Sequence, residues 1–324
     1  MAVARSAAGG ALVRVFVAGA TGAIGRPLLR MLIAEGHEVT GMTRSPANAQ
    51  ALRAAGAEAI LADALDAAAV TSAVRDSRPE AVIHQLTAIP ARLDPRKIVR
   101  DFELTDRLRT EGTRILVDAA RAAGAGRVLA QSIAFAYAPG PPGSVHVESD
   151  PLSADANPPK QFRRTAAAVA ELERTVLGAG GLVLRYGYFY GPGSGISRGG
   201  ALCADVSRRR LPIVGGGTGV WSFIHVEDAA KATVAALTSG ASGAYNVVDD
   251  EPAPVTEWLP ALAAALGAPR PRRVPALLAR PLAGSYGIMT MTAAQGACNA
   301  LAKRELGWQP RHSSWREGFQ TALG

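Results

Sequence analysis

Three glycines at a spacing of three, in Gly19-Ala20-Thr21-Gly22-Ala23-Ile24-Gly25, directly follow the branched apolar run 12–18 and open a segment with helical apolar spacing. A strand, a glycine turn and a helix in that order suit a dinucleotide. One glycine permits the tight turn, a second lets backbone approach a pyrophosphate, a third lets the helix pack on the strand, and the helix N-terminus turns free N–H groups to the phosphates. The second strand ends at Thr43-Arg44-Ser45, and no Asp or Glu lies between Val39 and Ala57. An acid there would hold a ribose 2′-hydroxyl, whereas an arginine accommodates a 2′-phosphate. Arg44 thus points to NADP(H), with NAD(H) the less favoured form. No pair of histidines has His-x-x-x-His spacing, and the lone Gly193-Ser194-Gly195 is out of frame for a nucleophile elbow. No metal is expected, and hydrolase chemistry is unsupported.

The Gly-x-x-Gly-x-x-Gly turn resembles that of the short-chain dehydrogenase/reductase family, in particular its extended and atypical branch, which includes nucleotide-sugar epimerases and dehydratases. Four further segments resemble that family in the same order: Asp63 in Leu61-Ala62-Asp63-Ala64, His84-Gln85-Leu86-Thr87-Ala88, Leu184-Arg185 with Tyr190-Gly191-Pro192, and Phe223-Ile224-His225-Val226-Glu227-Asp228. The resemblance implies that Gly19, Thr21, Gly22, Ala23, Ile24, Gly25, Asp63, Ala64, Leu86, Thr87, Ala88, Gln131 and Tyr186 meet the cofactor. Tyr190 and Trp221 are expected near the substrate cleft, and His225 either lines that cleft or braces the late helix through a hydrogen bond.

Redox members of the family carry a Ser or Thr at the end of the fifth strand and a Tyr-x-x-x-Lys on the next helix. Ser132 fits the first role. The second element is missing, because none of the 6 tyrosines is followed by Lys four residues later. Phe162 falls at the tyrosine position, Ala166 at the lysine position, and Arg109 where the long preceding helix should carry Asn. Tyr137, five residues past Ser132, is then the candidate proton donor. Three readings stay open: reduction of a small carbonyl or enone with a non-standard donor, redox-neutral epimerisation, dehydration or isomerisation, and a cofactor-binding sensor without turnover. Ser132 and Tyr137 are the expected catalytic residues under the first.

These residues need a scaffold, and the chain alternates in the required way. Branched apolar runs at 12–18, 38–42, 57–61, 81–86, 127–131 and 182–186 read as strands. Helical spacing covers 23–35, 46–55, 66–74, 99–123 and 165–177 between them. Such alternation predicts an α/β protein with a doubly wound parallel sheet of the Rossmann type. Past Tyr186, Gly and Pro thicken and strands shorten. Residues 227–237 and 244–248 read as one more helix and strand returning to the sheet. The expected division is a cofactor domain of 1–186 plus 219–250, and a smaller, mostly helical substrate domain of 187–218 plus 251–324. The longest structureless stretch is 138–159, the length of a lid or binding loop.

The 324 residues are 48% hydrophobic and 19% charged, which excludes a disordered chain. The net charge of +8 is spread as +3 over 1–60, +2 over 61–199 and +3 over 200–324, so no basic stripe for nucleic acid emerges. Two separated cysteines, no long apolar segment and no leader in 1–10 indicate a cytoplasmic protein without membrane attachment. A small molecule is the expected partner. Dimers are common in the family, so the resemblance allows a homodimer.

Overall fold

The computed structural model describes residues 12–94, 96–141 and 143–323. The 1–10 stretch read for a leader lies outside the described residues. Seven parallel strands form the main sheet: β1 (Arg14–Ala18), β2 (Glu38–Thr43), β3 (Glu58–Leu61), β4 (Ala81–His84), β5 (Arg127–Ile133), β6 (Leu182–Tyr186) and β7 (Gly243–Val247). Their spatial order is β7-β6-β5-β4-β1-β2-β3, so the winding direction reverses between β1 and β4. Alternation along each strand feeds two cores. Val15 and Val17 of β1 join Ile83, Leu129 and Leu184 beneath helices α1 (Gly25–Ala34) and α6 (Val226–Thr238). Phe16 and Ala18 join Val82, Val128 and Val183 on the other face. Helices α3 (Ala67–Ser77), α4 (Thr113–Ala122) and α5 (Arg163–Gly178) cover that face. Burial on both faces is why these strands read as continuous apolar runs rather than alternating ones.

Two differences from the sequence expectation matter for the site. Strand β5 runs to Ile133, two residues beyond the expected end, and Ser132 pairs in register with Arg185 of β6. Ser132 is therefore a strand residue on the same face as Ala130 and Val128. The helix expected over 99–123 is not continuous. Short turns at Ile98–Asp101 and Glu103–Arg107 lead into a π-helical turn at Leu108–Gly112, and only then does α4 begin. Such wide turns recur at functional positions in helices.

A third core gathers Tyr190, Trp221, Phe223, Trp258, Trp315 and Phe319 from the chain past β6. Short ribbons tie it together: Tyr188–Tyr190 pairs with Phe223–His225, and Val220–Trp221 with Ala253–Pro254. Trp221 and Phe223 pack in this third core, whereas Ile224 packs beneath the main sheet. The segment Ala276–Thr292 is two helical pieces joined by a kink at Gly284, whose φ is +65°. The stretch expected to be structureless contains a bridge from Tyr137 to Leu152 and a bridge from His146 to Ala297. Gln295 accepts from the Gly140 N–H and donates to the Pro141 carbonyl, pinning this loop to the C-terminal region.

Candidate active site

The glycine turn lies at the reversal of strand order, where open α/β sheets bind ligands. Gly19 has φ +94°, and a Cβ on it would come within 2.4 Å of the Gln85 carbonyl oxygen at the end of β4. A Cβ on Gly25 would lie 2.2 Å from the Gly19 oxygen. Only glycine permits either approach. The N-terminus of α1 has no side-chain cap and no acidic residue in its first turn, so its partial positive charge stays available to a phosphate, while the Arg26 N–H is spent on the Gly22 carbonyl and Pro27 has none. A cavity of about 340 Å³ opens there, lined by Thr21, Gly22 and Ala23, with Arg26, Arg30, Pro192 and Gly193 among its other walls. These residues fit the pyrophosphate of a dinucleotide.

Arg44 leaves the end of β2 with a side chain 61% exposed, and its nearest acid is Asp63, at 3.8 Å. Asp63 also accepts from the Leu65 N–H, which shapes the turn after β3. The two residues expected at the adenosine end are thus neighbours. Ala64 is buried behind them. Past β4, Leu86 accepts from the Gln131 amide through its carbonyl, and Ala88 donates its N–H to the Thr105 hydroxyl. The 86–88 segment is thereby fastened to β5 and to the helical stretch after it, with Thr87 between its two fixed neighbours. Tyr186 differs from expectation. Its ring is 1% exposed in the core beneath α1 and α6, and its hydroxyl is shared by Gln85 and Thr233, so the side chain has no ligand-facing surface.

Ser132 and Tyr137 come together, but in a buried ion-pair network. Ser132 Oγ donates to Glu173 Oε1 at 2.6 Å. Arg185 donates to both oxygens of the same carboxylate, with its Nη2 at 2.6 Å from Oε2. Its Nη1 donates to the Tyr137 hydroxyl at 2.8 Å, which in turn donates to Asn246 Oδ1 at 2.6 Å. His146 stacks on the Tyr137 ring. Burial pushes the Tyr137 phenol up to about 12, with Arg185 pulling partly the other way. Burial by itself would lower the Arg185 guanidinium; the Glu173 carboxylate outweighs it and holds the group above its ordinary value. This bidentate pair ties α5, β5, β6 and β7 to the 138–152 loop. Glu173 and Asn246 carry no motif in the sequence, and only their three-dimensional meeting with Arg185 makes them part of the assembly.

The expected substrate residues are also packed away. Tyr190 is 0% exposed, with its ring edge-on to His225 and Phe319. Trp221 lies between Tyr188 and Trp258 and donates its indole N–H to the Thr290 carbonyl. His225 caps α6 by accepting the Glu227 N–H on Nδ1. His225, Asp228 and His312 do approach one another, with potential ligand atoms within 4.8 Å. Asp228, however, accepts from the N–H groups of Arg311 and His312 and from the His312 ring. The cluster is a hydrogen-bonded brace between α6 and the C-terminal chain.

The positions of the missing pair show a different arrangement. Phe162 stacks flat on Tyr286 from the segment beyond the Gly284 kink, with ring centroids 4.5 Å apart. Gln161, one residue earlier, accepts from the Tyr286 N–H at 3.2 Å. Ala166 is buried, at 1% exposure. Arg109, on the π-helical turn, is 5% exposed and sits close enough to Tyr286 for its charge to act on the phenol. The sequence does not single out Arg109 and Tyr286 as a site pair, since each lies on an element whose shape the helical spacing misjudges.

The sequence profile of the NAD dependent epimerase/dehydratase family matches residues 15–248. The chain is 52% identical over 315 residues to a 3-diazoavenalumate denitrifying reductase from Streptomyces, covering 94% of this chain and 99% of that one. It is 29% identical to a 2-alkyl-3-oxoalkanoate reductase from Stenotrophomonas maltophilia, covering 79% and 77%. Among solved structures, the UDP-glucose 4-epimerase of Thermus thermophilus in complex with NAD superposes with a TM-score of 0.74 at 25% identity, over 95% of this chain and 97% of the other. No helix among the described residues is long and apolar enough to cross a membrane. The glycine turn at the strand reversal, the seven-stranded sheet and these relatives agree: the chain belongs to the NAD-dependent epimerase/dehydratase family, as an NAD(P)-dependent oxidoreductase of the short-chain dehydrogenase/reductase type.

Proposed function

We propose that this enzyme is an NADP(H)-dependent reductase whose substrate needs no proton from the protein, and that this substrate carries a diazonium group on carbon. The observation that carries the reading is the stack of Phe162 and Tyr286 where the family places a catalytic tyrosine, with Ala166 where it places lysine. Reducing a simple ketone creates an alkoxide that must be protonated, which is the task of a positioned acid. A diazonium carbon poses no such demand, because its leaving group departs as neutral dinitrogen. When bound, NADPH supplies the two electrons and the hydrogen: R–N2⁺ and NADPH become R–H, N2 and NADP⁺, a balance with no free proton on either side. The Streptomyces relative is named for a diazo substrate and the loss of its nitrogen, which supports the same class here.

The residues divide the work as follows. The turn 19–25 and the N-terminus of α1 hold the pyrophosphate, Arg44 meets the 2′-phosphate, and Asp63, Ala64 and the 86–88 segment border the adenosine and the crevice. Ser132 and Tyr137 act as positioning residues: their hydroxyls, bound to Glu173, Arg185 and Asn246, fix the end of β5. The main sheet with β7 forms the cofactor unit, and the third core with the kinked segment forms the substrate side. Free thiols at Cys203 and Cys298 suit a cytoplasmic location. A small carbonyl or enone is the second reading, in which the Tyr286 phenol stacked on Phe162 would supply the one proton.

The direct test adds an arenediazonium salt and NADPH to the protein. Loss of absorbance at about 340 nm matched by equal amounts of arene and dinitrogen is expected, each traced to turnover over a protein-free control. Consumption of NADPH by a ketone panel but not by the diazonium salt would shift the assignment to the second reading.

A further inference from the structure

Arg109 is a buried cation without a hydrogen bond among the described residues. Its guanidinium carries five N–H donors, yet its one charged contact there is Asp106 Oδ1, 3.6 Å from Nη1 and outside hydrogen-bonding range. Asp106 is itself divided. Its other oxygen accepts from the Thr165 hydroxyl at 3.1 Å and lies 3.9 Å from Arg164, whose exposed guanidinium also reaches Glu103. One carboxylate thus faces two guanidinium groups, and the buried one keeps its donors open. Burying a cation in this way costs stability unless a partner meets it. The π-helical turn at Leu108–Gly112 is what brings Arg109 onto the buried side of its helix along with Asp106, Leu108 and Gly112.

Tyr286 belongs to the same neighbourhood: it stacks on Phe162, three residues before Thr165, whose hydroxyl bonds the Asp106 carboxylate beside Arg109. Gln161 and Phe162 fix Tyr286, one through its backbone N–H and the other through its ring. Burial holds its phenol well above the usual value, so it is a neutral donor at neutral pH, and Arg109 opposes that shift only in part. Tyr286 is half-buried, whereas Arg109 is buried. A guanidinium with an unpartnered Nη1 and a phenol on a neighbouring element offer N–H and O–H donors. They match an oxygen bearing negative charge, as in charge-assisted pairing with carboxylates.

We propose that Arg109 and Tyr286 are specificity-determining residues that receive an anionic oxygen of the substrate, a carboxylate or a phenolate, so that the enzyme selects organic acids over their neutral counterparts. The inference rests on the reductase reading for its substrate, and its test is a binding measurement that does not depend on turnover. Protein loaded with NADP⁺ is titrated calorimetrically with cinnamate and with cinnamamide, and separately with 4-nitrophenolate and 4-nitroanisole. At least one anion is expected to bind about ten times or more tightly than its neutral partner, and which pair shows the preference identifies the oxygen. In Arg109→Met and Arg109→Gln the preference should fall to within about threefold, in Arg109→Lys most of it should survive, and Tyr286→Phe should weaken the anion more than the neutral ligand. Binding of NADP⁺ itself reports whether each variant is folded.

Equal affinity of anion and neutral partner in the unmutated enzyme overturns the proposal, as does a preference that Arg109→Gln leaves intact. If none of the three Arg109 variants folds, the unmutated comparison and Tyr286→Phe decide it. Absence of diazonium turnover together with a clear acid preference would remove the diazonium reading and leave this inference standing. Turnover without any acid preference would do the reverse.

Discussion

Tyr286 lies against Phe162 with their ring planes only 12° apart, and that contact joins the start of α5 to the C-terminal helical segment. In the family pattern, position 162 would present a phenol to the substrate. Here it presents hydrocarbon, and the phenol beside it arrives from an element more than a hundred residues later in the chain. The exchange explains how a protein with the family's cofactor turn can lack the family's acid. On the proposed reading, it also separates the residues of the cofactor turn from those of the scaffold and from Arg109 and Tyr286.

Arg44 should set the choice of nicotinamide cofactor. Its side chain is 61% exposed and held only by a 3.8 Å contact to Asp63, so it is free to meet a 2′-phosphate. Replacing it by Glu should raise KM for NADPH at least tenfold, about 1.4 kcal/mol, while KM for NADH changes far less. Steady-state kinetics with each cofactor check this. A parallel rise for both would mean that Arg44 does not read the phosphate.

Ser132→Ala and Tyr137→Phe should act on stability more than on chemistry. Each removes one hydrogen bond from the Glu173–Arg185 pair, a loss of about 1–3 kcal/mol in a buried site. Glu173→Gln, which leaves Arg185 without a charged partner, should cost more, about 3–5 kcal/mol. Denaturant melts measure these losses. At temperatures where each variant is folded, kcat should stay within about fivefold of the parent. A kcat drop of about a hundredfold or more, about 2.7 kcal/mol, in a fully folded Tyr137→Phe would restore that residue as a proton donor.

His84 supplies a pH dependence of known direction. It is buried between the Leu108 carbonyl and the Thr113 hydroxyl, and burial lowers it from 6.5 to about 4. Above about pH 6.5 both folded and unfolded chains hold it neutral, and its contribution is complete. As pH falls toward 4 the unfolded chain binds the proton first and stability declines by up to about 3 kcal/mol. Buried Asp106 and Asp249 and half-buried Glu148 are all raised by desolvation and run the other way, binding protons first in the folded state. The comparison is therefore between the parent and His84→Asn. Their stabilities should converge as pH drops from about 7 to about 4, and parallel curves would contradict the assignment.

The fold is largely legible in the sequence because its signals are local. Gly19 to Gly25, the apolar runs of β1, β4 and β6 and the helix stops at Gly36 and Gly124 each report on their own neighbourhood. The glycine turn is legible for the same reason. Tyr186, expected at the cofactor, and Tyr190 and Trp221, expected at the substrate, are not, since packing decides their places. Ser132 reads as catalytic when β5 is taken to end before it; two more strand residues turn its hydroxyl to Glu173. Tyr190 and Trp221 are expected near the cleft, but the third core needs them. The π-helical turn that buries Arg109 leaves no mark in helical spacing, and the Gly284 kink that delivers Tyr286 lies far from the positions it completes.

The central claim is that reduction proceeds without a proton from the protein, and isotope tracing tests it most directly. Turnover of an arenediazonium salt with NADPH deuterated at the transferred position in ordinary water should give an arene with one deuterium at the carbon that lost nitrogen. The same reaction with unlabelled NADPH in heavy water should give none, and kcat should be nearly insensitive to the solvent isotope and flat between about pH 6.5 and 8.5. Deuterium entering that carbon from the solvent, or a bell-shaped profile with a solvent isotope effect, would contradict the account.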